Sequence, residues 1–199
     1  MNFQLTTSDN LTLGSWFVLS EPFYQSYRMS SPLPVANPNL EVVHDAIRKH
    51  PTILYCHGNT ATRAAPARVQ HYMSFTSRFH ANVMVIDYRG FGESQGEPSD
   101  WGLKEDARTA WRWLLEHGAK PEDILIVGHS LGTGVVTTLA TWLTQEGVKP
   151  RGVVLLAPFT NVASLLETYD IQGYPILQPL QTFPLGRSKH SPTCFYSYL

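Results

Sequence analysis

Short, unbroken apolar blocks alternate along this chain with longer runs whose apolar positions recur every three or four residues. The blocks fall at 52–56, 83–86, 124–127 and 153–156. An unbroken block bounded by turn residues reads as a strand buried on both faces. Three periodic runs lie between them. The first, over roughly 64–79, places Val69, Tyr72 and Met73 on one side. The second follows Ser99, whose hydroxyl suits a helix cap. It carries Leu103, Ala107, Ala110, Trp111 and Leu114, and Gly118 ends it. The third carries Leu131, Val135, Leu139, Trp142 and Leu143 and closes at Gly147. Strands alternating with helices predict a mostly parallel sheet with helices on both faces, an α/β architecture.

Both ends depart from that rhythm. Residues 3–7 and 11–19 are β-prone runs around Ser8-Asp9-Asn10, which predicts an antiparallel hairpin. Between 21 and 39, Pro22, Pro32, Pro34, Pro38 and several serines predict an irregular connection. Leu40, Val43 and Ile47 then predict a short helix. Beyond 156 no further strand is clear. Residues 169–184 are rich in proline and aromatics, and 187–199 show no period.

Composition narrows the function classes. At 199 residues with 43% apolar residues, one domain with a sizeable core is expected. A net charge of −1 offers no basic footprint for nucleic acid. Two cysteines, Cys56 and Cys194, are too few for a disulfide scaffold and favour a reducing compartment. No apolar run approaches the roughly 20 residues that span a bilayer, and no leader pattern opens the chain. A cytoplasmic or peripheral membrane location is therefore expected. His44, His71 and His80 lack metal-ligand spacing. Neither Gly-x-Gly-x-x-Gly nor a Gly-Lys-Ser/Thr loop is present, so no cofactor is expected.

The candidate chemistry sits at 124–134, where an apolar strand runs into Gly128-His129-Ser130-Leu131-Gly132 and then into a helix. Strand, tight Gly-x-Ser-x-Gly turn and helix together describe a nucleophile elbow. Ser130 must then occupy a sharp, strained turn, and a side chain at 128 or 132 would clash with the adjoining strand or helix. The following helix N-terminus offers N–H groups and partial positive charge to a developing oxyanion. The alternative is that Ser130 merely caps the helix in an ordinary turn. His129 should point away from Ser130. His57 reads as a structural hydrogen-bonding group, Asp87 and Arg89 as braces of their loop, and Trp111 and Trp113 as helix packing.

Five segments in order carry a family resemblance. They are Tyr55-Cys56-His57-Gly58-Asn59, Thr62-Arg63, the run Asp87-Tyr88-Arg89-Gly90-Phe91-Gly92-Glu93-Ser94, the run Gly128-His129-Ser130-Leu131-Gly132-Thr133-Gly134, and Ala157-Pro158-Phe159-Thr160-Asn161. The chain resembles the α/β-hydrolase superfamily, and within it the branch of monoacylglycerol and lysophospholipid (lysophosphatidylserine) lipases. The resemblance implies an α/β-hydrolase fold and a serine hydrolase acting on lipid carboxyl esters. It assigns Ser130 as nucleophile and the backbone N–H groups of Leu131 and Asn59 as the oxyanion hole. It also implies a lipid or acyl-ester substrate, with peripheral membrane contact. Ile171, Tyr174, Ile176 and Leu177 would suit an acyl chain or core packing equally.

The triad is where the chain departs from the family. A serine nucleophile needs a base and the base an orienter, in the order Ser, Asp or Glu, His. After Ser130 the carboxylates are Glu146, Glu167 and Asp170, and the histidine is His190. Asp170 and His190 satisfy the order, yet neither follows a recognisable strand. The expectation is an incomplete α/β-hydrolase domain over 1–186, lacking its last strands, with 161–186 as the start of a lid and 187–199 as an irregular tail. A shortened chain would leave 153–156 at a sheet edge, an aggregation hazard with weak or absent hydrolysis. Two other functions stay open: a protein-depalmitoylating thioesterase, because relatives with His-Gly-Asn do that chemistry, and an inactive hydrolase-like binding module.

Overall fold

The computed structural model describes residues 1–30 and 38–159, together with the backbone of 170–171 and 174–175. The N-terminal hairpin is present. Strand β1 (Asn2–Thr6) pairs antiparallel with β2 (Thr12–Val18), Phe3 opposite Ser15. Then follow α1 (Glu21–Ser30), α2 (Leu40–Lys49), β3 (Thr52–Cys56), α3 (Pro66–Arg78), β4 (Asn82–Ile86) and α4 (Asp100–Glu116). Strand β5 (Ile124–His129), α5 (Leu131–Gln145) and β6 (Gly152–Leu156) complete the main body. The short strands β7 (Asp170–Ile171) and β8 (Tyr174–Pro175) pair only with each other among the described residues.

The six-stranded sheet has the order β1-β2-β4-β3-β5-β6. Strands β4, β3, β5 and β6 run parallel, and β2 joins β4 antiparallel. The chain passes from β3 to β4 on one side, then crosses back to β5 on the other. In such sheets the crevice beyond the carboxyl ends at that reversal is where ligands bind. Here it lies between the ends of β3 and β5, where Cys56 is opposite Gly128. The loop starting at His57 and the turn at Ser130 are neighbours for that reason.

Side-chain alternation along the central strands makes two cores. Leu54, Met84, Ile86, Ile124 and Ile126 face α2, α4 and α5, around the fully buried Trp111. Ile53, Tyr55, Val83, Val85 and Val127 face α3 through Tyr72. The stripe of α4 is buried as its spacing predicts, and Ser99 Oγ accepts the N–H of Gly102 at 3.0 Å.

Three expectations are revised. The stretch after Ser20 is not irregular throughout, since α1 occupies Glu21–Ser30. Pro22 lies in the first turn, where its missing N–H is no loss, and Phe23 is buried while stacking on Tyr27. Residues 31–37, read as part of the same connection, lie outside the described residues. Met73 is 63% exposed rather than on the packed side of α3, whose buried residues are Arg68, Tyr72 and Thr76. Strand β6 forms where predicted but is not buried. Among the described residues it pairs only with β5, and Val153, Val154 and Leu155 are 38–42% exposed. The lid segment and tail, including His190, lie outside the described residues, apart from the backbone of β7 and β8. Asp170 begins β7, and its side chain is likewise outside them.

Candidate active site

Ser130 stands between the last residue of β5 and the first of α5, with φ 50° and ψ −118°. That backbone region is unfavourable for any residue with a Cβ and persists only where its surroundings over-determine it. Here they do. The Ser130 N–H donates to Leu156 O at 2.9 Å, while its carbonyl accepts from Thr133 N at 2.8 Å and Thr133 Oγ1 at 2.6 Å. The glycines on either side are required by space. A Cβ on Gly132 would overlap the carbonyl of Cys56 in β3, and one on Gly128 would overlap the carbonyl of Gly132. The turn is thus wedged between β3 and the start of α5.

The loop after β3 closes over this turn. A Cβ placed on Gly58 would lie 3.4 Å from the Ser130 Cβ, so the main chain at Gly58 adjoins the Ser130 side chain. Leu131 is the first residue of α5, where N–H groups have no acceptor within the helix. The structure therefore brings Gly58, the residue before Asn59, against Ser130, the residue before Leu131. It does so by the parallel pairing of β3 with β5 rather than by proximity in sequence.

The histidines divide as their surroundings dictate. His57 is fully buried, and its Nδ1 donates to the carbonyl of Gly58 at 2.8 Å. A carbonyl only accepts, so the proton resides on Nδ1. Burial, reinforced by the charge of Arg68, lowers its pKa to about 4, and the ring is neutral at pH 7. His129 turns to His71 on α3, ring centroids 5.7 Å apart. Burial, then His71 and Arg68, lower its pKa below the usual range. His71 in turn shares a 2.8 Å hydrogen bond with Tyr55 Oη.

Asp87 and Arg89 brace the loop after β4. The Asp87 carboxylate accepts from the N–H and the guanidinium of Arg63, and its carbonyl accepts from Ser94 Oγ at 2.6 Å. Arg63 reaches onward to Glu93 at 2.6 Å. Arg89 is clamped between Asp106 and Asp9, its guanidinium over the Trp101 ring.

One residue at the site has no counterpart among those the sequence analysis singles out. Arg68, on the first turn of α3, is 8% exposed, and its guanidinium contacts the carbonyls of Gly58, Asn59, Thr60 and Thr62 at 2.6–2.9 Å. The available signal was its spacing. Positions 68, 72 and 76 recur every four residues, so an arginine lies on the stripe that Tyr72 and Thr76 bury.

The sheet order, the strained turn and the loop over it define a class of fold, and comparison with known proteins agrees. The family model for the alpha/beta hydrolase fold matches residues 51–186. The chain belongs to that family. Among curated proteins it is similar to lysophosphatidylserine lipase ABHD12 of Danio rerio, 35% identical over 163 residues, which covers 81% of this chain and 40% of that protein. It is also similar to human Protein ABHD12B, 38% identical over 138 residues, covering 68% of this chain and 35% of the relative. The chain thus spans well under half the length of either. Among solved structures, alpha/beta hydrolase GrgF from Penicillium sp. sh18 aligns with a TM-score of 0.58 at 19% identity, covering 81% of this chain and 46% of that one. That likeness is one of fold.

Proposed function

We propose that this chain carries the nucleophile and oxyanion-hole half of a serine hydrolase acting on lipid carboxyl esters. The carrying observation is Ser130, held in a costly conformation at a strand–helix corner with Gly58 against it. The Ser130 hydroxyl attacks the ester carbonyl carbon and gives up its proton to a base, which passes it to the departing alcohol oxygen. The carbonyl oxygen becomes an oxyanion facing the N–H groups of Leu131 and Asn59, the alcohol leaves, and water later cleaves the acyl-enzyme. Chain order makes His190 the candidate base and Asp170 its candidate orienter. The full burial of His57 argues against its acting as the base.

The activity for which the relatives are named supports lysophosphatidylserine or a similar lysolipid as substrate, with the enzyme meeting it at a membrane face. Among the described residues no helix is long and apolar enough to cross a membrane. The test is reaction of the purified chain with a fluorophosphonate, in which a bond forms between Ser130 Oγ and phosphorus as fluoride leaves. Labelling that maps to Ser130 and disappears in Ser130→Ala is expected, with weak fatty-acid release from lysophosphatidylserine that still exceeds release from a palmitoyl thioester. Wild-type labelling no faster than that of Ser130→Ala would overturn the proposal. Loss of labelling in His190→Ala, with the fold intact, would assign the base.

A further inference from the structure

We infer that Arg68 is the positioning residue of the oxyanion hole, aiming the Asn59 amide at the reacting carbonyl by gripping the loop from behind. The inference rests on the hydrolase reading of Ser130. Arg68 Nη2 lies 2.8 Å from Gly58 O, 2.9 Å from Asn59 O and 2.6 Å from Thr60 O, and Nη1 lies 2.7 Å from Thr62 O. One planar fork thus gathers four carbonyls of a five-residue segment. The described peptide bonds are all trans. In a trans peptide the C=O and the following N–H point in opposite directions. With the Gly58 carbonyl drawn to Arg68, the Asn59 N–H must point away from Arg68. The Gly58 main chain is also the part of this loop that adjoins Ser130.

Two further observations show that the loop needs such a grip. Thr60 and Ala61 are consecutive non-glycine residues in the left-handed region, with φ 58° and 54°. An unrestrained loop would relax from that conformation, and Arg68 bonds the carbonyls on both sides of Ala61. Second, among the described residues the hydrogen bonds of the Arg68 side chain go to main-chain carbonyls and none to a carboxylate, whereas Arg63 and Arg89 are each paired with acids. A buried arginine kept for stability alone would be expected to hold a counter-ion. Among the described residues Arg68 holds no carboxylate, and its positive charge is felt at both His57 and His129. The guanidinium therefore does two things at once. It fixes the donor, and it polarises the peptide that carries it.

A lysine cannot substitute. Its ammonium is a single point with three donors and lacks the planar fork that spans carbonyls on two sides.

The test uses the full chain as wild type, Arg68→Lys, Arg68→Ala and the exposed control Arg78→Met. Fluorophosphonate labelling of Ser130 is followed as a second-order rate, alongside hydrogen–deuterium exchange of peptides covering 57–63. Arg68→Ala should label about 10²-fold more slowly, the effect of losing one oxyanion donor. Its 57–63 amides should exchange faster while those of β3 and β5 do not change. Millimolar methylguanidinium should restore labelling in Arg68→Ala. Arg68→Lys should stay slow, and Arg78→Met should match wild type. Labelling of folded Arg68→Ala or Arg68→Lys within about threefold of wild type would overturn the inference and leave the hydrolase reading intact. A lower melting temperature with an unchanged labelling rate would also overturn it. Wild type that labels no faster than Ser130→Ala would instead end the hydrolase reading, and the role of Arg68 with it.

Discussion

The N–H of Ser130 donates to the carbonyl of Leu156 at 2.9 Å, tying the strained turn to the last residue of β6. A left-handed serine is thus held from the strand side by β6 and from the helix side by Thr133. The strain belongs to the folded state alone, so it is measurable. Ser130→Gly removes a penalty of about 1–3 kcal/mol and gives back up to about 1 kcal/mol as extra chain entropy in the unfolded state. The expected outcome is a protein more stable by about 1 kcal/mol in urea titration, with no fluorophosphonate labelling. Ser130→Ala keeps the Cβ and the strain, so it should lose labelling without that gain.

Gly132 and Gly134 lie one half-turn apart in the same helix and should respond oppositely. A methyl group on Gly132 meets the backbone of Cys56 and His57, which has no freedom to move away. Gly132→Ala should cost about 3 kcal/mol or more, as overpacking against rigid main chain does. A methyl on Gly134 meets nothing within 4 Å. Gly134→Ala should stabilise the protein by up to about 1 kcal/mol through helix propensity. Thermal midpoints of the two variants check the pair in one experiment.

Stability should fall in mild acid because of His57. Its folded-state pKa of about 4 lies below the ordinary 6.5. Between those values the unfolded chain binds one more proton at this site than the native chain, so stability rises with pH across that window and is complete above it. The slope is about 1.4 kcal/mol per pH unit, roughly 3 kcal/mol over the window. Asn offers an N–H near the position of Nδ1 but does not titrate. Urea midpoints measured at pH 4.5, 5.5 and 7 should therefore vary less for His57→Asn than for wild type.

The ion pairs of Arg63 separate buried from exposed electrostatics. Asp87 is 1% exposed and Glu93 62%, and both bond the same guanidinium. Asp87→Asn leaves a buried arginine short of its counter-charge and should cost about 3–5 kcal/mol. Glu93→Gln should cost less than about 1 kcal/mol, the ordinary worth of a pair open to solvent. Chemical denaturation of the two variants at equal ionic strength tests the contrast.

Much of the architecture was legible in the order of residues because burial writes itself into periodicity. The runs at 52–56, 83–86 and 124–127 had no polar face, so only a sheet covered on both sides could hold them. Helix α1 was not legible. Its proline and serines carry the composition of a loop, and a proline in the first turn is compatible with either state. Strand β6 was legible as a strand but not as an exposed one, since exposure depends on what pairs beyond it.

Local chemistry by itself determined where the Ser130 corner would fall, because Gly128 and Gly132 flanking a serine between an apolar strand and an amphipathic run leave few other conformations. Tertiary structure alone decided what surrounds that corner. Cys56 and Gly128 are distant in sequence and become opposite each other only through parallel pairing, which brings Gly58 against Ser130. The place of Arg68 was decided the same way. Periodicity encodes which face of a helix is buried. It does not encode which carbonyls a long charged side chain will find there, because those belong to a loop whose path is set by the strands on either side.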